Sequence, residues 1–275
     1  MVSPEPEVFT LETVPEVFLP RAPLAKVLTQ VQFSRTPALV TAEAESALAD
    51  RLERYPVRRH GMAAAIAVSL GVPGVPMAPL ASPMKSFSET TGTWQVTVTE
   101  TSVALETTDY HTRDDFCERA HEVLMAVASV ALPPVVDRVG LRYIDRLTGG
   151  YVGRVNEYVV PQLRVLHGSV DESLVLEHSV SDSMIRISDD ERLQVRSGML
   201  PPNGSFDPAL APVPEQTWVL DLDVFTVQAG FAFDPDELTS RLRRYADHAY
   251  SFFRFATTEA LQSEFGAGTK HVEQK

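Results

Sequence analysis

Apolar and polar residues alternate along much of the chain. From Lys26 the run VLTQVQF is rich in β-branched residues and alternates loosely, which predicts a first strand ending at Phe33. Thr41 then caps a helix in which Ala44, Ala47, Leu48, Leu52 and Tyr55 recur at helical spacing until Pro56 stops it. MAAAIAVSLGV reads equally as a buried strand or a short helix, and Pro73, Gly74, Pro76, Pro79 and Pro83 after it demand an irregular loop. Trp94 to Glu100 and Val103 to Thr107 both alternate, and the short polar break between them predicts a hairpin. Thr112 and Asp115 open a helix that puts Phe116, Ala120, Val123, Leu124 and Val127 on one face, ended by Pro133 and Pro134; a strand follows from Arg138 to Leu147.

The first half therefore reads strand, helix, strand, strand, helix, strand, the split βαβ order of a ferredoxin-like unit. The second half varies the theme. A short helix over Asn156 to Leu166 is followed by strands at Leu174 to Val180, Met184 to Ile187, Leu193 to Met199 and Trp218 to Thr226, with a Pro-rich loop from Pro201 to Pro214 before the last. Asp234 caps a helix with Pro235 at its first position, expected to run to about Phe265. The expected fold class is α+β: two fused ferredoxin-like halves, each a mainly antiparallel sheet backed by helices. The divisions are an extended arm over 1–23, a first half over 24–150, a second over 151–268, and a polar tail over 269–275. The arm holds Pro4, Pro6, Pro15, Pro20 and Pro23, yet Phe9, Leu11, Val17 and Leu19 are apolar enough to strap across the body or a partner chain; the other reading is terminal disorder.

Composition narrows the function classes. A net charge of −13 opposes bulk attraction to nucleic acid or to an anionic membrane face. One cysteine, Cys117, leaves no intramolecular disulfide or multi-cysteine metal site, and with no leader-like start or apolar span the expected location is the cytoplasm. No nucleophile elbow, phosphate loop or HExxH spacing is present, and Asp114, Asp115 and Glu118 oppose activation of Cys117 by the helix dipole. Arg51, Arg54, Arg58 and Arg59 form the most basic stretch, read as a solvated helix end.

In VLTQVQFS, the Trp94 hairpin, the helix after Tyr110, and above all RVGLRYIDRL (Gly140 to Arg146) with Leu220, Asp221, Leu222 and Asp223, the chain resembles a sporadically distributed family of uncharacterised bacterial and archaeal proteins with a GLRYINR-like strand. The resemblance spans most of the chain and implies no activity, cofactor or catalytic residue. Asp145 stands where that family's pattern has asparagine.

Strand geometry places Arg138, Arg142 and Arg146 on one face and Val139, Leu141 and Tyr143 on the other. On the Trp218 strand, Asp221 and Asp223 lie opposite the apolar Trp218, Leu220, Leu222 and Val224, and on the Leu193 strand Arg192, Gln194 and Arg196 point away from Leu193 and Val195. These charged sets form either a solvated face with cross-strand ion pairs or a ligand groove between the halves. Asp221 and Asp223 could share a divalent cation, but no further ligands are identifiable, so no metal or other cofactor is expected. On the last helix Tyr245, Tyr250, Phe252, Phe253 and Phe255 span more than one face and predict a contact with another element or a second subunit. The leading reading is a non-enzymatic binding or assembly protein, with a protein partner or a homo-oligomer. The alternative is an enzyme or small-ligand protein taking an anionic or phosphorylated compound on Arg142, Arg146, Asp221 and Asp223.

Overall fold

The computed structural model describes residues 8–12, 14–17, 19–63, 82–164, 166–171, 173–205, 210–227 and 230–266. Among the described residues nine strands form one antiparallel sheet: β1 (Leu24–Phe33), β2 (Val57–Ala63), β3 (Ser82–Ser88), β4 (Trp94–Thr99), β5 (Ser102–Thr107), β6 (Val136–Leu147), β7 (Ser179–Arg186), β8 (Glu191–Leu200) and β9 (Thr217–Thr226). Their order is β2-β3-β4-β5-β1-β6-β9-β8-β7. The fold is thus α+β, and the sheet runs unbroken across the expected division at residue 150 through the β1–β6 pairing, where Val27 faces Tyr143 and Val31 faces Val139.

The helices are α1 (Ala42–Ala49), α2 (Arg113–Val130), the single turn α3 (Val155–Tyr158), α4 (Pro235–Ala256) and α5 (Glu259–Glu264). Three caps act as the sequence predicts: Thr41 accepts from the Ala44 N–H, Thr112 from the Asp115 N–H, and Asp234 from the Asp236 and Glu237 N–H groups. The long helices α2 and α4 pack against each other, α2 against β5 and α4 against β6 and β9. Between them and the sheet lie Phe116, Trp94, Leu105, Leu141, Leu222, Leu242 and Tyr245, all essentially buried. The two halves run alike. In each, a central strand (β1 or β6) is followed by short helical turns, a meander that ends beside that central strand, and a long helix.

Four elements differ from the sequence expectation. The helix capped by Thr41 stops at Ala49, short of Leu52 and Tyr55, so Arg51 and Arg54 follow it in a turn and Arg58 and Arg59 lie on β2 rather than at a helix end. Residues 174–178 are not strand, and β7 runs without a break from Ser179 to Arg186. The final helix ends at Ala256 because Thr257 turns extended, and Thr258 then donates its N–H to the Tyr158 carbonyl before capping α5. The predicted helix over Asn156 to Leu166 is only the turn α3 followed by a 3-10 turn at Pro161–Leu163, since Pro161 supplies no N–H. Most of MAAAIAVSLGV, with the polar tail, lies outside the described residues, whereas the segments flanking it form β2 and β3.

Gly198 allows β7 and β8 to close. Its φ is +148°, and a Cβ there would sit 1.9 Å from the Ser179 carbonyl oxygen. Gly198→Ala is expected to destabilise the protein by about 3 kcal/mol, from backbone strain and displacement of β7; urea unfolding of the variant beside the parent measures it.

Candidate functional site

The arginines and aspartates meet on the face of the sheet opposite the long helices. In register Arg142 faces Asp223, but its guanidinium forks onto Asp221 instead, with Nε to Oδ1 at 2.7 Å and Nη2 to Oδ2 at 2.6 Å. Arg138 reaches Asp223 at 3.0 Å by lying over the Phe225 ring, 4.3 Å from its centroid. It crosses Gly140, where a Cβ would come within 2.8 Å of its Nη1. Arg196 bridges Asp182 at 3.1 Å and Asp221 at 3.6 Å, and Gln194 donates to Asp182. Arg146 takes no part in this network: its Nη2 donates to the Ala211 carbonyl of the segment that also buries Leu210 against Ile144 and Val219.

So three of the four predicted ligand-binding residues, Arg142, Asp221 and Asp223, come together, but as an internal network rather than a wet face. Asp221 is 2% exposed and Arg142 7%, and the fork that could grip an anion is already on a carboxylate. Burial pushes the Asp223 carboxyl above its ordinary range, with Arg138 and Arg142 opposing that rise. Removing one partner of such a pair leaves a buried charge. Arg142→Ala is expected to cost about 3–5 kcal/mol, and Arg142→Met combined with Asp221→Leu to recover most of it; unfolding both singles and the double tests the non-additivity.

The aromatic residues of α4 divide between the core and the N-terminal arm. Tyr245 is fully buried in the core. Phe252 and Phe255 receive Phe9 of the arm, with ring centroids at 4.8 and 5.6 Å. Tyr250 accepts the Val17 N–H at 2.6 Å and donates to the Pro15 carbonyl, while Ser251 donates to the Thr10 and Glu12 carbonyls. Glu16 pairs with Arg113 at 2.9 Å, and the arm enters β1 after Pro23 accepts the Arg146 N–H. The described arm residues therefore strap across the body of their own chain.

Beneath this strap lies a cavity of about 290 Å³, near the lower end of the range for small-molecule sites. Its roof is formed by Glu16, Val17, Leu19, Pro20 and Ala22 of the arm. One wall is the turn carrying Asp109, Tyr110, His111 and Arg113, and the other is α4 at Ala246, Ala249, Tyr250 and Phe253. The floor is Tyr143 and Asp145 of β6 with Leu222 of β9. Asp145 is 6% exposed, sits between Leu24 and Leu220 on the neighbouring strands, and has no hydrogen-bond or ion-pair partner among the described residues. Burial first, then the Asp221 carboxylate, pushes its pKa up to about 7. Burial also pushes Tyr110 up to about 12 and raises Tyr143, so both phenols stay neutral. The tyrosine rings meet edge to face at 5.7 Å.

Sequence reasoning placed Tyr250 and Phe253 on a contact face but missed Asp145 as a site residue. The signal was available: by strand alternation Asp145 shares the apolar face of Val139, Leu141 and Tyr143. Cys117 is buried, its thiol pushed up to about 11 by desolvation, which suits packing rather than nucleophilic chemistry. Among the described residues no cluster of histidine, cysteine and carboxylates could hold a metal ion, and no helix is long and apolar enough to cross a membrane. No family model, curated protein or solved structure matches the chain.

Because Asp145 holds its proton more tightly folded than unfolded, its ionisation is a penalty that is absent below about pH 4, grows between pH 4 and 7, and is complete above. Asp145→Asn is expected to remove that pH dependence and to stabilise the protein above pH 7 by about 4 kcal/mol. Urea midpoints of parent and variant from pH 5 to 8 measure the divergence.

Proposed function

We propose that this protein is a non-enzymatic binding protein whose ligand is a small molecule held beneath the N-terminal arm. The observation that carries this reading is the Asp145 carboxyl, nine-tenths buried on the cavity floor and unpartnered. A buried polar group without a partner costs about 1–3 kcal/mol, more when charged, and such a penalty is retained where a ligand relieves it. Aromatic and apolar walls with one polar group at the bottom are the usual make-up of a small-molecule pocket. The predicted anionic ligand on Arg142, Arg146, Asp221 and Asp223 has less in its favour, because Arg142 already clasps Asp221 and Arg146 holds a loop carbonyl.

Assembly with a protein partner or a second copy is the second reading. It draws on the sheet ending at β2 and β7, whose outer edges pair with no other strand among the described residues, and on Met62 and Met184 exposed along them. The aromatic helix supports it less, since Phe252 and Phe255 are covered by Phe9. We further infer that the chain arose by duplication of a ferredoxin-like unit. The order β4-β5-β1-β6, with α1 and α2 in the connections, follows the split βαβ scheme, and β8-β9-β6-β1 with α4 mirrors it. Each half would then borrow the other's central strand as its fourth.

The test is ligand-observed NMR with a library of small aromatic and aliphatic amines, alcohols and acids, on the parent and on Ala249→Trp, which fills the cavity from α4. Binding of at least one class by the parent and its loss in Ala249→Trp is the expected outcome. Absence of binding, or binding that survives the tryptophan, overturns the reading.

A further inference from the structure

Among the described residues, every other buried carboxylate of the sheet has its own cation. Asp221 holds Arg142, Asp223 holds Arg138, and Glu191 at the start of β8 is met by Arg244 from α4. Asp145 differs because it projects to the other face of β6, away from Arg142 and Arg138, among leucine, tyrosine and alanine side chains. Among the described residues the one arginine lining the cavity, Arg113, is committed to Glu16 and Asp247. The protein thus builds a carboxylate site and supplies no positive charge for it.

On that basis, and resting on the cavity as the binding site, we propose that the ligand is a compact organic cation: a protonated primary amine on a small apolar or aromatic body, with its ammonium on Asp145. Three features favour this class over neutral or anionic compounds. The charged groups lining the cavity are Glu16, Asp109 and Asp145 against Arg113, an excess of negative charge with Asp145 ionised even if His111 is protonated. The whole chain carries −13, so its long-range field draws cations and repels anions. Tyr110, Tyr143, Tyr250 and Phe253 present ring surface around the floor, and aromatic faces attract an ammonium while accommodating an apolar body. The raised pKa of Asp145 agrees with a missing counter-charge, because a bound ammonium would restore the ionised form.

The experiment is isothermal titration calorimetry at pH 8, where Asp145 is ionised, with benzylamine, benzyl alcohol and benzoate as matched probes on the parent and on Asp145→Asn. Benzylamine is expected to bind about tenfold or more tighter than benzyl alcohol, benzoate to bind worst, and Asp145→Asn to erase the preference for the amine while the alcohol is little changed. The ranking on the parent needs no variant and so stands whatever the substitution does to folding. If benzyl alcohol or benzoate binds as well as the amine, or the amine's advantage survives Asp145→Asn, the inference is overturned. Binding of alcohols that Ala249→Trp abolishes, with no preference for amines, would overturn this inference alone and leave the cavity reading standing; no binding by any probe class in either experiment removes both.

Discussion

At the centre of the sheet β6 must lie between β1 and β9 with arginines on one side and apolar residues on the other, and this constraint organises the rest of the molecule. Three arginines on one strand face would repel one another and hold water at the middle of the sheet. Asp221 and Asp223 on β9 neutralise two of them in place, and the pairing is diagonal because the bidentate fork of Arg142 fits Asp221 better than the residue directly across. With the charges matched side by side, β9 can be buried along its whole length. The strand pairings on either side of β6 then extend the sheet across both halves of the chain, giving α2 and α4 one continuous surface to cover.

The same strand carries the exception. Asp145 breaks the apolar face, and the helices and arm settle around it without supplying a donor. Local consistency is the rule in a sequence that specifies its fold, and the place where that rule fails is where function is to be sought. The buried arginine–aspartate set, though richer in charge, obeys the rule: each carboxylate has a partner. Charge alone therefore misdirects, and among the buried carboxylates it is the presence or absence of a partner that sets Asp145 apart from Glu191, Asp221 and Asp223.

Much of the fold was legible in the sequence because it rests on local signals. Thr41, Thr112 and Asp234 cap the helices they were expected to cap, and the alternation at Val27, Trp94, Val103 and Leu141 marks strands with the correct face inward. The end of α4 was not legible, since the extended turn at Thr257 depends on Tyr158 and Val159, about a hundred positions away. Nor was the diagonal pairing of Arg142, which follows from register and side-chain reach. The arm as a strap was one of two sequence readings, and what decides it is contact between Phe9 and a helix at the far end of the chain. The cavity could not be read at all from periodicity, because its lining comes from five stretches brought together only by the completed sheet.

That distant construction bears on how the protein is made. The contact between Val17 and Tyr250 spans 233 positions of the sequence, so the roof emerges from the ribosome long before the helix that anchors it. During that interval the apolar arm and the inner face of β6 have no cover, and closing so large a loop must wait on slower, non-local encounters. A nascent or truncated chain that lacks α4 therefore leaves greasy segments uncovered, the condition under which partly folded chains stick to one another.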